Sequence, residues 1–168
     1  MQISKKSPST LLRSLLFMVF CGVASSVSAA DTAKDFTLKS STGDNLRLQE
    51  LRGNIVLMNF WASWCAPCRK ELPYLESLQQ EFKDLGFTVL AVNIDEDSSK
   101  ASLLLNDISV SFPVVYDPKG DVSKLYDVQA MPTTVFIDRN GEQRLIHPGY
   151  KSGDELKYRK IIKALIRE

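Results

Sequence analysis

The sequence predicts an α/β layer fold around a central mixed β-sheet flanked by helices, and three patterns carry that prediction. Two nearly continuous apolar runs, Ile55 to Trp61 (IVLMNFW) and Phe87 to Ile94 (FTVLAVNI), have the length of strands covered on both faces. Between them Leu72, Leu75, Leu78, Phe82 and Leu85 recur at spacings of three and four, the stripe of an amphipathic helix. Near the end, Thr133 to Asp138 (TTVFID), the turn Arg139-Asn140-Gly141 and Gln143 to Ile146 read as an antiparallel pair.

Taken in order, residues 1–30 stand apart from that pattern. Lys5, Lys6 and Arg13 form a positive region, an apolar run extends from Leu15 to Ala24, and Val27-Ser28-Ala29-Ala30 supplies an A-x-A-like cleavage site. That order is a secretory signal, removed after Ala29 or Ala30, and it predicts a periplasmic protein. The apolar run is too short for the roughly twenty residues that span a bilayer. The alternative is a chain tethered by an uncleaved N-terminal anchor. Cys21 belongs to this segment, and Met18-Val19-Phe20 before it lacks the small residues of a lipoprotein site.

Residues 31–168 then form one domain, with no room for a second core. With 44% hydrophobic and 24% charged residues overall, neither a disordered chain nor a disulfide scaffold is indicated. Losing the leader removes three positive charges, so the formal charge passes from +1 to −2. No basic footprint for nucleic acid remains.

Within the domain, Phe36 to Leu38 and Leu46 to Leu48 alternate around Thr42-Gly43-Asp44-Asn45 as a hairpin. A strand at Ile55 to Trp61 leads into the helix that begins near Cys65 and ends at the cap glycine Gly86. Pro73 lies inside that helix and predicts a kink near Arg69. After the second buried strand, Asp95 to Ser98 supply acids and a cap for a helix reaching about Ile108. Phe112 to Tyr116 is a short strand, and Val122, Leu125 and Tyr126 mark a helical turn. The last helix, Ser152 to Arg167, presents Leu156, Ile161, Ile162, Leu165 and Ile166 on one face, with its lysines and arginines on a solvated one.

The chemistry concentrates at Cys65-Ala66-Pro67-Cys68, between a buried strand and the first turn of a helix. A helix N-terminus carries roughly half a positive charge and free N–H groups, which stabilise a thiolate. Cysteine pKa values fall from about 8.5 to as low as ~3.5 in such settings. Pro67 suits the first turn, where a missing N–H costs nothing. As a structural staple the pair is poor, because closing so short a loop contributes about 2 kcal/mol, against roughly 4.7 for a 100-residue loop. A zinc half-site needs further ligands, and His147 is the only histidine. Redox exchange is the strongest of the three readings, with Cys65 the exposed attacking thiolate and Cys68 the shielded sulfur that resolves.

The stretch FWASWCAPC (Phe60 to Cys68) resembles the active site of the thioredoxin superfamily. With WCAPCRKELP, VNIDE (Val92 to Glu96), FPVVYDPKG (Phe112 to Gly120) and YDVQAMPTTVFIDRNG (Tyr126 to Gly141), the chain looks most like the exported TlpA/ResA-type thiol–disulfide oxidoreductases. The resemblance implies a thioredoxin-like fold with an added N-terminal β-hairpin and a central insertion. It implies a cis peptide at Met131-Pro132, facing the cysteines and helping to hold an incoming substrate chain together with Trp64, Ala66 and Pro67. Glu96 matches a glutamate that related proteins keep near the cysteines, able to exchange a proton with Cys68, although Asp95-Glu96-Asp97-Ser98 also reads as an ordinary helix start. Asn59 departs from the aspartate of many thioredoxins, and an amide cannot titrate. Trp61 reads as core and His147 as an unremarkable loop residue.

The function these readings favour is reduction of disulfides in periplasmic proteins, apocytochrome c among them by family resemblance. They imply re-reduction by a membrane-embedded donor, a monomer, and no cofactor beyond the Cys65–Cys68 disulfide. An oxidant of protein thiols with the same fold is the first alternative. A copper-binding protein using the cysteine pair is the second, disfavoured by the lack of a nearby histidine or methionine cluster. A peroxidase is weaker still, because Ala62 stands where the peroxidatic motif has threonine.

Overall fold

The computed structural model describes residues 1–2 and 31–168. The secretory leader, its cleavage site and Cys21 lie outside the described residues. The elements, in chain order, are strands β1 (Asp31–Thr32), β2 (Thr37–Ser40), β3 (Asn45–Arg47) and β4 (Ile55–Trp61), helix α1 (Ala66–Phe82), β5 (Phe87–Asn93), α2 (Ser98–Asp107), β6 (Val114–Tyr116), α3 (Asp121–Leu125), β7 (Thr133–Ile137), β8 (Glu142–Pro148) and α4 (Asp154–Ile166). The strands make one eight-stranded mixed sheet in the order β1-β8-β7-β4-β5-β6-β2-β3. Only β4–β5 and β5–β6 pair in parallel.

Coverage on both faces explains the unbroken apolar runs. Leu57, Trp61, Val89 and Phe136 pack with Leu72, Leu75 and Phe82 of α1, Ala101 of α2 and Tyr158 and Ile162 of α4. Their neighbours Val56, Met58, Phe60, Leu90 and Val92 pack on the other side with Phe36, Leu48, Val122 and Tyr126. The strand period of two sorts one continuous run onto two cores. Parallel β4 and β5 both end at the same edge of the sheet, where the chain leaves β4 for α1; open α/β sheets place their chemistry at that edge.

The hairpin is β2–β3, and the central insertion is α2 with β6. Helix α1 stays one element across Pro73, where the Ser77 hydroxyl donates to the Pro73 carbonyl at 3.0 Å. Two expectations are corrected, and one strand goes beyond them. Leu85 is exposed, because the chain tightens into a 3-10 turn at Lys83–Leu85 before Gly86 closes it at φ +72°. Helix α4 begins at Asp154, and its buried stripe is Asp154, Tyr158, Ile162 and Leu165, so Leu156 faces solvent. The edge strand β1, pairing Asp31 and Thr32 with Gln143 and Glu142, had no periodicity long enough to announce it.

Candidate active site

Strand β4 ends at Trp61, and the loop Ala62-Ser63-Trp64 delivers Cys65 as the N-cap of α1. The loop is held from below by Asp95, a buried carboxylate just beyond the end of β5. The Ser63 backbone N–H donates to Asp95 Oδ2 at 2.9 Å, the Ser63 hydroxyl to Oδ1 at 3.0 Å, and Asn93 Nδ2 to Oδ2 at 2.8 Å. Cys65 Sγ accepts from the Cys68 N–H at 3.2 Å, so the sulfur takes one of the orphan donors of the helix start. Cys65 and Cys68 are joined in a disulfide, with Cα atoms 5.3 Å apart.

The two cysteines are unequal, though less so than the sequence suggests. Cys68 has no exposure and Cys65 only 4%, so the expectation of an exposed attacking sulfur is corrected for the disulfide form. Both belong to the apolar cluster that contains Trp61, Ala62 and Leu72 and against which Met131 packs. Trp64, by contrast, is 65% exposed beside Cys65, and Ala66 and Pro67 are exposed with it.

The Met131-Pro132 peptide is cis. Pro132 immediately precedes β7, whose Thr133 pairs with Phe60 near the end of β4, which places the proline at the redox end of the sheet. Its carbonyl accepts from the Gly149 N–H at 2.6 Å, tying the loop after β8 to it.

Glu96 follows the Asp95 that holds the Ser63 loop. It is exposed, and no hydrogen bond or ion pair engages it among the described residues, because the chain turns outward after Asp95 to start α2 at the Asp97 cap. The buried glutamate is Glu71, one helical turn beyond Cys68 on the same face of α1. Asn59 Nδ2 donates to its Oε2 at 2.9 Å, and the Tyr158 and Thr134 hydroxyls donate to Oε1 at 2.9 and 3.2 Å. Burial outweighs these donors and pushes the Glu71 carboxyl up to about 7, with the negative charge of Asp154 adding to the rise.

Asn59 is the buried amide expected of it. Its Nδ2 also donates to Thr134 Oγ1 at 2.9 Å, while its Oδ1 has no partner among the described residues. Trp61 is core, as expected. His147 is not an idle loop residue: it lies in β8, with Nε2 3.1 Å from Asp154 Oδ2 and its ring edge-on to Tyr158 at 5.4 Å. Proline at 148 had suggested a loop; the strand instead runs through it at the sheet's outer side.

Glu71 was missed because Arg69-Lys70-Glu71 reads as a solvated stretch. Its signal was positional, since Cys68, Glu71, Leu72 and Leu75 lie on a single helical stripe. The arrangement amounts to a disulfide at a helix N-terminus, a nearly enclosed Cys65 sulfur, and a buried carboxyl poised to titrate near neutrality. A cavity of about 420 Å³, lined by Lys34, Arg47, Leu48, Arg52, Val56 and Ile137, lies at the opposite end of β4.

Comparison with known proteins agrees with this geometry. The AhpC/TSA family matches residues 29–145. The chain is 36% identical over 130 residues to the thiol-disulfide oxidoreductase ResA of Geobacillus kaustophilus, covering 77% of this chain and 75% of that protein. To ResA of Oceanobacillus iheyensis it is 38% identical over 130 residues, 75% of this chain and 68% of the other. Among solved structures, a putative thiol:disulfide interchange protein DsbE from Chlorobium tepidum superposes with a TM-score of 0.79 at 39% identity, covering 82% and 96% of the two chains.

Proposed function

We propose that this chain, which belongs to the AhpC/TSA family and is a thiol–disulfide oxidoreductase with a thioredoxin-like fold, works as an exported reductant of disulfides in other proteins. The observation that supports the reductive direction is the enclosure of both sulfurs, which disfavours a thiolate, and Glu71 supplies the proton acceptor that the exchange needs. In the reduced protein the Cys65 thiolate, at the N-terminus of α1, attacks one sulfur of the substrate disulfide, and the other substrate sulfur leaves as a thiolate that takes up a proton. The Cys68 thiol then passes its proton to Glu71, and the resulting thiolate attacks Cys65 Sγ. The second substrate sulfur departs, and two electrons have moved from the protein to the substrate. A base with a pKa near 7 is suited to this transfer at neutral pH.

Trp64, Ala66, Pro67 and the Met131-Pro132 turn form the surface on which the substrate chain lies, and the disulfide is the only redox group required. The leader supports export, which puts the soluble reductants of the cytoplasm out of reach. A membrane-embedded dithiol donor therefore restores Cys65 and Cys68, and the protein acts as a monomer. Apocytochrome c, which must present reduced cysteines to haem, is the first substrate to try.

Mass-tagging alkylation of thiols in intact cells tests the direction. Cys65 and Cys68 are expected mostly reduced at steady state, and full oxidation would overturn the reductive reading. Cys65→Ser should abolish turnover, while Cys68→Ser should accumulate mixed disulfides with the partners. A Cys68→Ser variant that traps nothing would refute the division of roles.

A further inference from the structure

We propose that Tyr158, on the C-terminal helix, is a positioning residue for Glu71 whose hydroxyl sets how readily that carboxyl takes the Cys68 proton. The inference rests on Glu71 acting as the base described above. Tyr158 has no solvent exposure, and its hydroxyl donates to Glu71 Oε1 at 2.9 Å. Burial and the neighbouring Glu71 charge drive the phenol far above its ordinary range, so across the working pH it stays protonated and can donate. A donor to a carboxylate favours the ionised form and opposes the desolvation that raises Glu71.

The ring is built into place. It meets Phe136 of β7 edge-on at 5.5 Å and His147 of β8 at 5.4 Å, and His147 is in turn braced by Asp154 in the first turn of α4. The groups facing Glu71 from each element can be named. Asn59 of β4 and Thr134 of β7 are uncharged donors. Asp154 of α4 opposes ionisation. Tyr150, in the loop before α4, is turned to Glu155, to which its hydroxyl donates at 3.2 Å. Tyr158 is thus the donor through which α4, remote in sequence from the cysteines, enters their proton chemistry.

The test is the pH dependence of the resolving step, followed by stopped-flow as the reduced protein reacts with a disulfide-bonded peptide. The rising limb in the parent protein should have its midpoint near 7, set by Glu71. Tyr158→Phe keeps the ring and should move that midpoint up by about one pH unit. Fluorotyrosine at position 158, a stronger donor of nearly the same shape, should move it down, which keeps the proposal testable if Tyr158→Phe fails to fold. In a Glu71→Gln background neither change should have any effect. If Glu71→Gln abolishes the limb but both changes at 158 leave the midpoint in place, the role of Tyr158 is refuted. If Glu71→Gln itself leaves the limb unchanged, the base reading fails instead.

Discussion

A carboxyl group folded away from water costs free energy at every pH where it must be charged, and in this protein Glu71 is that group. Its ordinary value of 4.5 rises to about 7 in the fold, so through that window the folded chain holds a proton that the unfolded chain has released. Stability therefore falls as pH rises from about 4.5 to about 7 and is level above, a loss of about 3 kcal/mol from this group. Asp35, Glu76 and Asp154 are shifted the other way, and what they contribute is lost only as pH falls below the ordinary carboxylate range. Glu71→Gln should remove the slope and make the oxidised protein more stable than its parent at pH 8. The unpartnered Asn59 Oδ1 can accept from the new amide if the Asn59 side chain turns over. Urea unfolding at pH 5 and pH 8 checks this, and an unchanged slope in the variant would contradict it. The cysteines, the cis proline and the buried Trp61 were legible as residues because motif and burial pattern agree there. Glu71 and Tyr158 were not, since a charged residue after Arg69-Lys70 and a tyrosine amid lysines look solvated until tertiary packing covers them.

Elements with a strong period were read within a residue or two, while those set by a single contact were not. Strand β4 was recovered at both ends because its seven residues face two cores. Helix α4 was read on the right face from Ile161 onward, but its first turn was not, since Asp154, held by His147 and the Lys151 N–H, and Tyr158 occupy the buried stripe where Leu156 was expected. Gly86 illustrates an element boundary with a specific cost. At φ +72° it ends the turn after α1, and a Cβ there would lie 2.5 Å from Arg139 Nη1. That guanidinium donates to the Gly53 and Leu85 carbonyls, both at 2.9 Å, and so staples the β7–β8 turn to the starts of β4 and β5. Gly86→Ala should cost about 2 kcal/mol, combining backbone strain with a displaced charge-assisted bond. Arg139→Ala should cost a similar amount, and the double variant less than the sum, since both break one staple. Turnover per folded molecule should be unchanged, because the staple lies at the end of the sheet away from Cys65; loss of turnover at full folding would contradict that separation.

For the whole molecule, the direction of electron flow is a statement about stability. Folding and disulfide formation close a thermodynamic cycle, so the difference in unfolding free energy between the oxidised and reduced protein equals the shift in potential that the fold imposes on the pair. About 1.4 kcal/mol corresponds to 30 mV for this two-electron couple. A fold that stabilises its disulfide holds electrons weakly and reduces others; one that stabilises its dithiol is an oxidant. Two features set the balance here. The N-terminus of α1 favours a thiolate at Cys65 and so favours the reduced form. Enclosure of both sulfurs among Trp61, Ala62 and Leu72 works against it, because a buried disulfide is neutral whereas a thiolate in that cluster must be desolvated. Glu71 sharpens the second term at high pH, since its carboxylate charge and a Cys68 thiolate would disfavour each other. With Cys65 4% exposed and Cys68 fully buried, enclosure is the larger effect, and the oxidised protein should be the more stable of the two. Urea unfolding of both forms at pH 7 measures the sign directly. A reduced form more stable than the oxidised one would make the protein an oxidant and overturn the reductive reading, whatever its substrates prove to be.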